Sequence, residues 1–302
     1  MSGTRCGFVA LIGAPNAGKS TLLNTLVGEK VSIVSRKTQT TRARVRGIVV
    51  EGETQIVFVD TPGLFAPRRR LDRAMVAAAR DAAAEADAVV ALVDARREIA
   101  APSEETEAIF KDLKALKGPI YLALNKIDLV ERPKLLALVK RLNDAFAFRA
   151  TFLISAATGD GVSELLKTLA AAMPEGPWLY PQDQIADAPL RMLAAEITRE
   201  KIFDLLHDEL PYQTTVETDS WQARPDGSAR IEQTIYVTRE GHRKIVIGEG
   251  GRTIKAIGAA ARKEIAEAND GPAHLFLHVK VRENWLDDPE RFRAMGLEFP
   301  KG

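Results

Sequence analysis

One glycine-rich segment limits the possible folds of this 302-residue chain more than any other feature. It lies between residues 6–12, an apolar run typical of a buried strand, and residues 19–27, which predict a helix. Its spacing is G-x-x-x-x-G-K-S, and its residues are Gly13, Ala14, Pro15, Asn16, Ala17, Gly18, Lys19 and Ser20. Backbone N–H groups in such a loop surround phosphates, and the helix N-terminus adds a favourable dipole. The segment therefore predicts a phosphate-binding loop.

The side chains of this loop have expected roles. Lys19 would bridge the β- and γ-phosphates of a nucleotide, Ser20 would bind Mg²⁺, and Thr21 belongs to the same set of nucleotide contacts. A glycine turn with a surface lysine is the alternative interpretation. The loop alone distinguishes neither ATP from GTP nor a kinase from a switch.

Strand and helix patterns alternate as far as residue 172. Apolar or β-rich runs lie at 45–50, 55–60, 88–93, 120–125 and 151–155, and helical patterns at 71–86, 103–116, 132–145 and 161–172. Residues 51–54 predict a hairpin between the first two of these runs. We therefore expect an α/β domain with a mostly parallel six-stranded sheet, one strand of it antiparallel, covered on both faces.

Two further motifs follow strands of this sheet. Asp60 begins the sequence Asp-Thr-Pro-Gly and would hold Mg²⁺ through water, while the N–H of Gly63 would meet the γ-phosphate. A simple turn explains this short motif as well. Its position after a strand and downstream of a phosphate loop favours the nucleotide interpretation.

The sequence Asn-Lys-Ile-Asp at residues 125–128 indicates which base is bound. The Asp128 carboxylate can accept two hydrogen bonds from guanine, whereas adenine lacks that pair of donors and would leave the carboxylate unpaired. The Lys126 stem can lie over the base, and Asn125 can join this loop to the phosphate loop. A turn followed by a helix cap is the alternative. The last loop of the site is expected at Ser155, Ala156 and Ala157, where a backbone N–H would read the guanine oxygen.

The chain changes character after residue 173. Four prolines lie in residues 174–189, which predict an extended linker between a domain at 1–173 and a second one at 190–302. In the second domain, patterns predict helices at 190–208, 251–268 and 288–295 and strands at 212–221, 230–238 and 273–283. The segment 245–247 is the end of either a strand or a helix. This order predicts an α+β domain that differs from the first.

A Gly-x-x-Gly loop precedes the helix at 251–268, and its residues are Gly248, Glu249, Gly250 and Gly251. In a helix–strand–strand–helix–helix–strand order, this loop is typical of a type II KH domain, which clamps about four nucleotides of single-stranded nucleic acid. Basic side chains surround it, namely Arg239, His242, Arg243, Lys244, Arg252, Lys255, Arg262 and Lys263, with Lys280 and Arg282 on the last strand. Glu249 departs from the pattern, because a basic residue would suit RNA better.

Composition excludes several classes of protein. The net charge is +1, so any nucleic-acid site must come from local clusters of Lys and Arg. The single cysteine, Cys6, excludes an intrachain disulfide. The sequence has neither a long apolar run nor the pattern of a signal peptide, so we expect a cytoplasmic protein. We also expect a monomer.

The four nucleotide motifs, in chain order, resemble those of the translation-factor-like branch of P-loop GTPases. The chain as a whole resembles the Era family of bacterial ribosome-assembly GTPases, in the TrmE-Era-EngA-Septin-like superfamily. The runs that carry this likeness are 36–42 (Arg-Lys-Thr-Gln-Thr-Thr-Arg), 175–181, 194–197 and 209–212, with the Ile-Gly-x-x-Gly loop. The resemblance implies binding of GTP and GDP, 16S rRNA near its 3′ end and the 30S subunit, and a peripheral association with the inner membrane.

The resemblance also bears on hydrolysis. Related GTPases place the switch threonine directly before an arginine, which favours Thr41 as a ligand of Mg²⁺ and leaves Thr40 as the alternative. Leu64 occupies the position where Ras-like switches carry a glutamine that orients water, so intrinsic hydrolysis is expected to be slow. Asn16 occupies the position that helps hold K⁺ in a potassium-dependent group of bacterial GTPases. The run Arg68–Arg70 is either a solvated charge run or a contact to a partner.

Three functions remain to be compared. In the first, the chain is a switch whose GTP hydrolysis controls RNA binding. In the second, it is a passive RNA-binding module with a structural nucleotide domain, which the complete set of Lys19, Ser20 and Asp60 argues against. In the third, it is a metabolic kinase, which the guanine motif argues against.

Overall fold

The computed structural model describes residues 3–35, 37–38, 40–42, 44–67, 69–187 and 189–300. The predicted positions Arg36, Gln39 and Arg68 lie outside these residues. The described chain divides into two compact units. Of the described residues, the first unit contains those within 3–32, 41–187 and 295–300, and the second contains those within 33–40 and 189–294.

The first unit is an α/β layer structure. Its elements in chain order are β1 (Arg5–Gly13), α1 (Lys19–Val27), β2 (Val45–Glu51), β3 (Thr54–Asp60), α2 (Arg70–Glu85), β4 (Ala88–Asp94), α3 (Ala95–Ala100), α4 (Glu104–Leu113), β5 (Ile120–Asn125), α5 (Arg132–Ala145), β6 (Thr151–Leu153) and α6 (Val162–Ala172). The sheet order is β2-β3-β1-β4-β5-β6, with only the β2–β3 pair antiparallel among the described residues. The predicted six-stranded sheet is confirmed.

Both faces of this sheet are buried, which explains why its strands are continuous apolar runs. In β1, Val9 and Leu11 pack on one side with residues of α1 and α6, while Ala10 and Ile12 pack on the other side with residues of α2, α4 and α5. Because the strands other than β2 run parallel, their carboxyl ends lie at one edge of the sheet, and all four nucleotide motifs lie at this edge.

Residues 174–187 are extended but bonded to the first unit along several strands. The Pro174 carbonyl accepts from Cys6 N at 3.1 Å, and Gln55 Oε1 accepts from the backbone N–H groups of Leu179 and Tyr180. The Ile185 carbonyl accepts from the N–H of Ile48 on the edge strand β2 at 2.9 Å. Backbone groups of the proline-rich segment therefore find partners in the first unit.

The second unit is an α+β structure. Its elements are α7 (Leu190–Leu205), β7 (Thr214–Ala223), β8 (Ala229–Val237), α8 (Glu240–Ile247), α9 (Arg252–Ala268), β9 (Ala273–Val281) and α10 (Pro289–Ala294). The sheet order is β7-β8-β9, with β7–β8 antiparallel and β8–β9 parallel. Residues 245–247 are thus the end of a helix, and the predicted KH order is confirmed.

The described residues between 33 and 40 group with the second unit, and Val34 and Lys37 are among those bonded to α7. The N–H of Val34 donates to Glu200 Oε1 at 2.7 Å, and Lys37 Nζ donates to the carbonyls of Phe203 and Leu206 at the end of that helix.

No helix among the described residues is long and apolar enough to cross a membrane.

Candidate functional site

The phosphate loop encloses its lysine. Lys19 is buried, and its Nζ donates to the carbonyls of Gly13 at 3.1 Å and Ala14 at 3.0 Å. Burial lowers the pKa of Lys19 to about 8, an effect that the nearby Asp60 carboxylate partly opposes. The loop thus holds a cation whose charge is poorly solvated and which an incoming phosphate would stabilise.

Three glycines of the site lie where the Cβ atom of any other residue would overlap a neighbouring atom. A Cβ at Gly13 would lie 2.5 Å from the Leu92 carbonyl, and a Cβ at Gly63 would lie 2.8 Å from the backbone N of Pro15. Gly18 has φ of 100°, and a Cβ there would overlap Asn125 Nδ2. The loops of the site therefore approach one another more closely than other residues would allow.

Oxygen atoms of three predicted metal ligands meet next to Lys19. Ser20 Oγ lies 2.6 Å from Asp60 Oδ2 and 3.0 Å from Thr41 Oγ1, and Thr41 Oγ1 lies 3.4 Å from Asp60 Oδ2. Asp60 is fully buried, and its Oδ1 has no hydrogen-bond partner among the described residues. Burial raises the pKa of Asp60, against the charge of Lys19 and three hydroxyl hydrogen bonds. An unpartnered carboxylate oxygen beside two hydroxyls is a donor set that fits Mg²⁺.

The two candidate threonines differ in position. Thr41 is buried with its hydroxyl at the oxygen cluster, whereas the Thr40 carbonyl accepts from Arg199 Nη2 within the second unit. The geometry therefore favours Thr41 over Thr40.

Leu64 is 6% exposed and packs in the apolar cluster beneath the loop, and its N–H donates to the Gly13 carbonyl at 3.1 Å.

Asn125 joins three loops of the site. Its Nδ2 donates to the Ala17 carbonyl at 2.8 Å, and its Oδ1 accepts from the N–H of Lys126 at 2.8 Å and of Ala156 at 2.9 Å. The strand β6 ends at Leu153, so Ser155, Ala156 and Ala157 lie in the loop where they were expected. The two loops that are predicted to read the base are thus fixed to the phosphate loop by one buried amide.

The side chain of Asp128 is exposed at the rim of the site, as its expected role in accepting hydrogen bonds from a base requires. Lys126 has φ of 66°, and its Nζ donates to the Asn16 carbonyl at 2.7 Å and to Asp94 Oδ2 at 2.5 Å. The sequence motifs did not identify Asp94 as a residue of the site. Its position at the end of an apolar strand, at the edge where the other motifs lie, could have indicated it.

The Gly-x-x-Gly loop of the second unit lies between α8 and α9. Gly248, Gly250 and Gly251 all have positive φ, at 71°, 60° and 77°. Glu249 and Arg252 are exposed and form an ion pair across the loop. Gly251 is the N-cap of the 17-residue helix α9, so the loop presents backbone N–H groups and a helix N-terminus to solvent.

The predicted basic cluster is only partly as expected. Lys244, Arg252 and Lys255 are exposed, while Arg243 is half-buried and bonded to Glu240 and to the Val279 carbonyl. His242 was expected to add charge but is 5% exposed, with its ring bonded to Thr238 and Arg239. Its burial, with the adjacent Arg239 charge, lowers its pKa, so His242 contributes no charge near neutral pH.

Comparison with known proteins identifies the family. The chain is 68% identical over 298 residues to GTPase Era of Afipia carboxidovorans, covering 99% of this chain and 96% of the relative. It is 62% identical to GTPase Era of Bradyrhizobium sp. strain ORS 278, with the same coverage. The chain belongs to the Era family of GTPases. Its Era-family character extends to both units, because residues 8–126 match the 50S ribosome-binding GTPase family model and residues 209–286 match the KH domain model.

Two solved Era structures resemble the fold over nearly its whole length. An Aquifex aeolicus Era variant bound to GDP·AlF4⁻ is 38% identical with a TM-score of 0.91, covering 97% of this chain and 99% of that one. A second Era structure, in complex with MgGDPNP and nucleotides 1506–1542 of 16S ribosomal RNA, is 37% identical with the same TM-score and coverage. The two structures contain a nucleotide, and one also contains RNA.

Proposed function

We propose that this Era-family chain is a GTP-hydrolysing switch that binds 16S rRNA near its 3′ end through the KH clamp and acts in assembly of the 30S subunit. The observation that carries the proposal is the meeting of Ser20, Thr41 and Asp60 oxygens beside buried Lys19. A structural nucleotide domain has no need for this arrangement. The Era complex with MgGDPNP and 16S rRNA nucleotides supports the choice of ligands.

In the proposed function, each loop of the two units has one role. Ser20, Thr41 and Asp60 hold Mg²⁺, which, when bound, neutralises charge on the phosphates, and the Gly63 N–H meets the γ-phosphate. Asp128 selects guanine, and the Gly248–Gly251 loop clamps RNA. The proposed domains are 1–173 for GTP and 190–302 for RNA, with 174–189 between them.

We also propose that a potassium ion assists GTP hydrolysis, because Leu64 cannot orient the attacking water. Asn16 is an exposed residue of the phosphate loop with φ of 63°, and its carbonyl is held by Lys126. Faster GTP turnover in KCl than in NaCl would support a K⁺ site, and equal rates would contradict it. The finer assignments to the periphery of the inner membrane and to the 30S particle rest on the family resemblance, whereas those to the cytoplasm and to a monomeric state are expectations from the sequence.

The decisive experiment measures GTP turnover and RNA affinity together. The RNA is an oligonucleotide that matches the 3′ end of the small-subunit rRNA, with a scrambled oligonucleotide as control. We expect the matching RNA to bind more tightly with a GTP analogue than with GDP, because only a difference between the two states makes a switch. RNA affinity that is equal in both states would reduce the chain to a passive RNA-binding module.

A further inference from the structure

Asp94 is the last residue of β4 and lies in register with Asn125 on the neighbouring strand β5. Its two carboxylate oxygens have different partners. Oδ1 accepts from the N–H of Arg97 at 3.1 Å and caps helix α3, whereas Oδ2 accepts from Lys126 Nζ at 2.5 Å. The two contacts can therefore be separated by substitution.

Lys126 is held at its backbone and at the end of its side chain. Its backbone N–H donates to Asn125 Oδ1, and its Nζ is shared between Asp94 and the Asn16 carbonyl of the phosphate loop. The side chain remains 30% exposed. A lysine loses rotamer entropy when it is fixed, and this pair imposes that cost before the nucleotide binds.

We propose that Asp94 is a positioning residue for guanine-nucleotide binding, which fixes the stem of Lys126 as the surface on which the base lies. This inference rests on the proposed guanine site. It predicts an effect opposite in sign to simple electrostatics, because removal of a negative charge near a site for an anion should otherwise strengthen binding.

The substitution Asp94→Asn tests the pair without removing the helix cap, since Asn caps helices as well as Asp does. We expect the Kd values for GDP and GTP to rise together by about tenfold, an effect within the range measured for contacting residues. The maximal rate of hydrolysis at saturating GTP should not change, because Asp94 acts on the base side of the site.

A double-mutant cycle with Lys126→Met shows whether Asp94 acts through Lys126. The double variant should bind GDP no more weakly than Lys126→Met alone, and Asp94→Asn should leave Tm unchanged. The matched control is Asp112→Asn, which removes the same charge from an exposed ion pair with Arg80 and should leave GDP affinity unchanged.

Two results would overturn the inference. One is wild-type GDP affinity in Asp94→Asn, and the other is an undiminished effect of Asp94→Asn in the Lys126→Met background, which would mean that Asp94 does not act through Lys126. Failure of the proposed guanine site is a separate outcome, because the wild-type protein itself would then not bind GDP.

Discussion

Each unit of the chain ends a glycine-rich loop in a left-handed glycine at the start of a helix, Gly18 before α1 and Gly251 before α9. Both loops therefore offer backbone N–H groups and a helix N-terminus to phosphate. Their surroundings differ. Asn125 and Leu92 enclose the first loop, whereas a Cβ at Gly250 would meet nothing within 4 Å and a Cβ at Gly251 would first meet Lys255 at 3.9 Å.

This difference in enclosure fits the two proposed ligands, a nucleotide and RNA. A loop enclosed by neighbouring loops can exclude water and hold one phosphate chain in one position, which gives strength and selectivity. A loop open to solvent can accept a polymer that enters and leaves from the side, with affinity from exposed cations and salt-dependent counterion release. In the proposed function, the same local backbone arrangement would serve a buried small ligand in one unit and an extended polymer in the other.

The largest expected effect is that of Gly18→Ala on the enclosed loop. The new Cβ would overlap the Asn125 amide and would also have to adopt φ of 100°. We expect GDP affinity to fall by about 100-fold or more, because strain at φ is joined by a clash that separates the loops. Isothermal titration calorimetry measures the loss.

Gly28→Ala is the control for this prediction. Gly28 at the end of α1 has φ of 85° but nothing within 4 Å of a new Cβ. The variant should lose about 1 kcal/mol of stability, which is the cost of a residue with a Cβ in the left-handed region, and should keep its GDP affinity. Loss of binding in both variants would mean that backbone strain alone, rather than enclosure, explains the loop.

The second prediction compares two glycines of the clamp. Gly248 has φ of 71° and ψ of 169°, a region almost restricted to glycine, and a Cβ there would overlap Thr253, whereas Gly250 lies in the left-handed region with open space. Gly248→Ala should weaken RNA binding by about tenfold and Gly250→Ala by about twofold or less. Fluorescence anisotropy with the 3′-end oligonucleotide measures both, with GDP affinity as the control for folding. Equal losses would show that the clamp is as enclosed as the phosphate loop.

The sequence predicted the first unit well because its strands are buried on both faces and its motifs are local. It missed helix α3, since six residues are too few for a periodic pattern and only the Asp94 cap marks its start. It also missed the role of Asp94, because the partner Lys126 is 32 residues away and meets it only through strand pairing.

Prediction was weaker in the second unit. His242 was placed with the exposed basic residues because charge type was considered without burial, and α8 was recognised only at its end. The affinity of an exposed loop depends on ion pairs such as Glu249–Arg252, which a sequence pattern does not specify.

The third prediction compares the pH dependence of the two loops. The pKa of Lys19 is lowered to about 8 by burial, and a bound phosphate would raise it again, so GDP binding takes up a proton and weakens as pH rises through 8. GDP affinity in EDTA should fall about fourfold from about pH 7 to about pH 8.5. RNA affinity should be constant over the same range, because the guanidinium group of arginine is always protonated in proteins. Calorimetry in two buffers of different ionisation enthalpy measures the proton, and no proton uptake near pH 8 would contradict the assignment.

The smallest expected effect concerns Glu249 in the clamp loop. Its carboxylate pairs with Arg252, and both side chains are exposed, so the pair competes weakly with phosphate. Glu249→Gln should raise RNA affinity by about two- to threefold and make its salt dependence steeper by about one phosphate contact. The control is Glu131→Gln in the first unit, which breaks an exposed pair of the same i,i+3 spacing with Lys134 and should leave RNA binding unchanged. Weaker RNA binding in Glu249→Gln would show instead that the carboxylate contacts the RNA, and that even the open loop contains a side chain selected for its ligand.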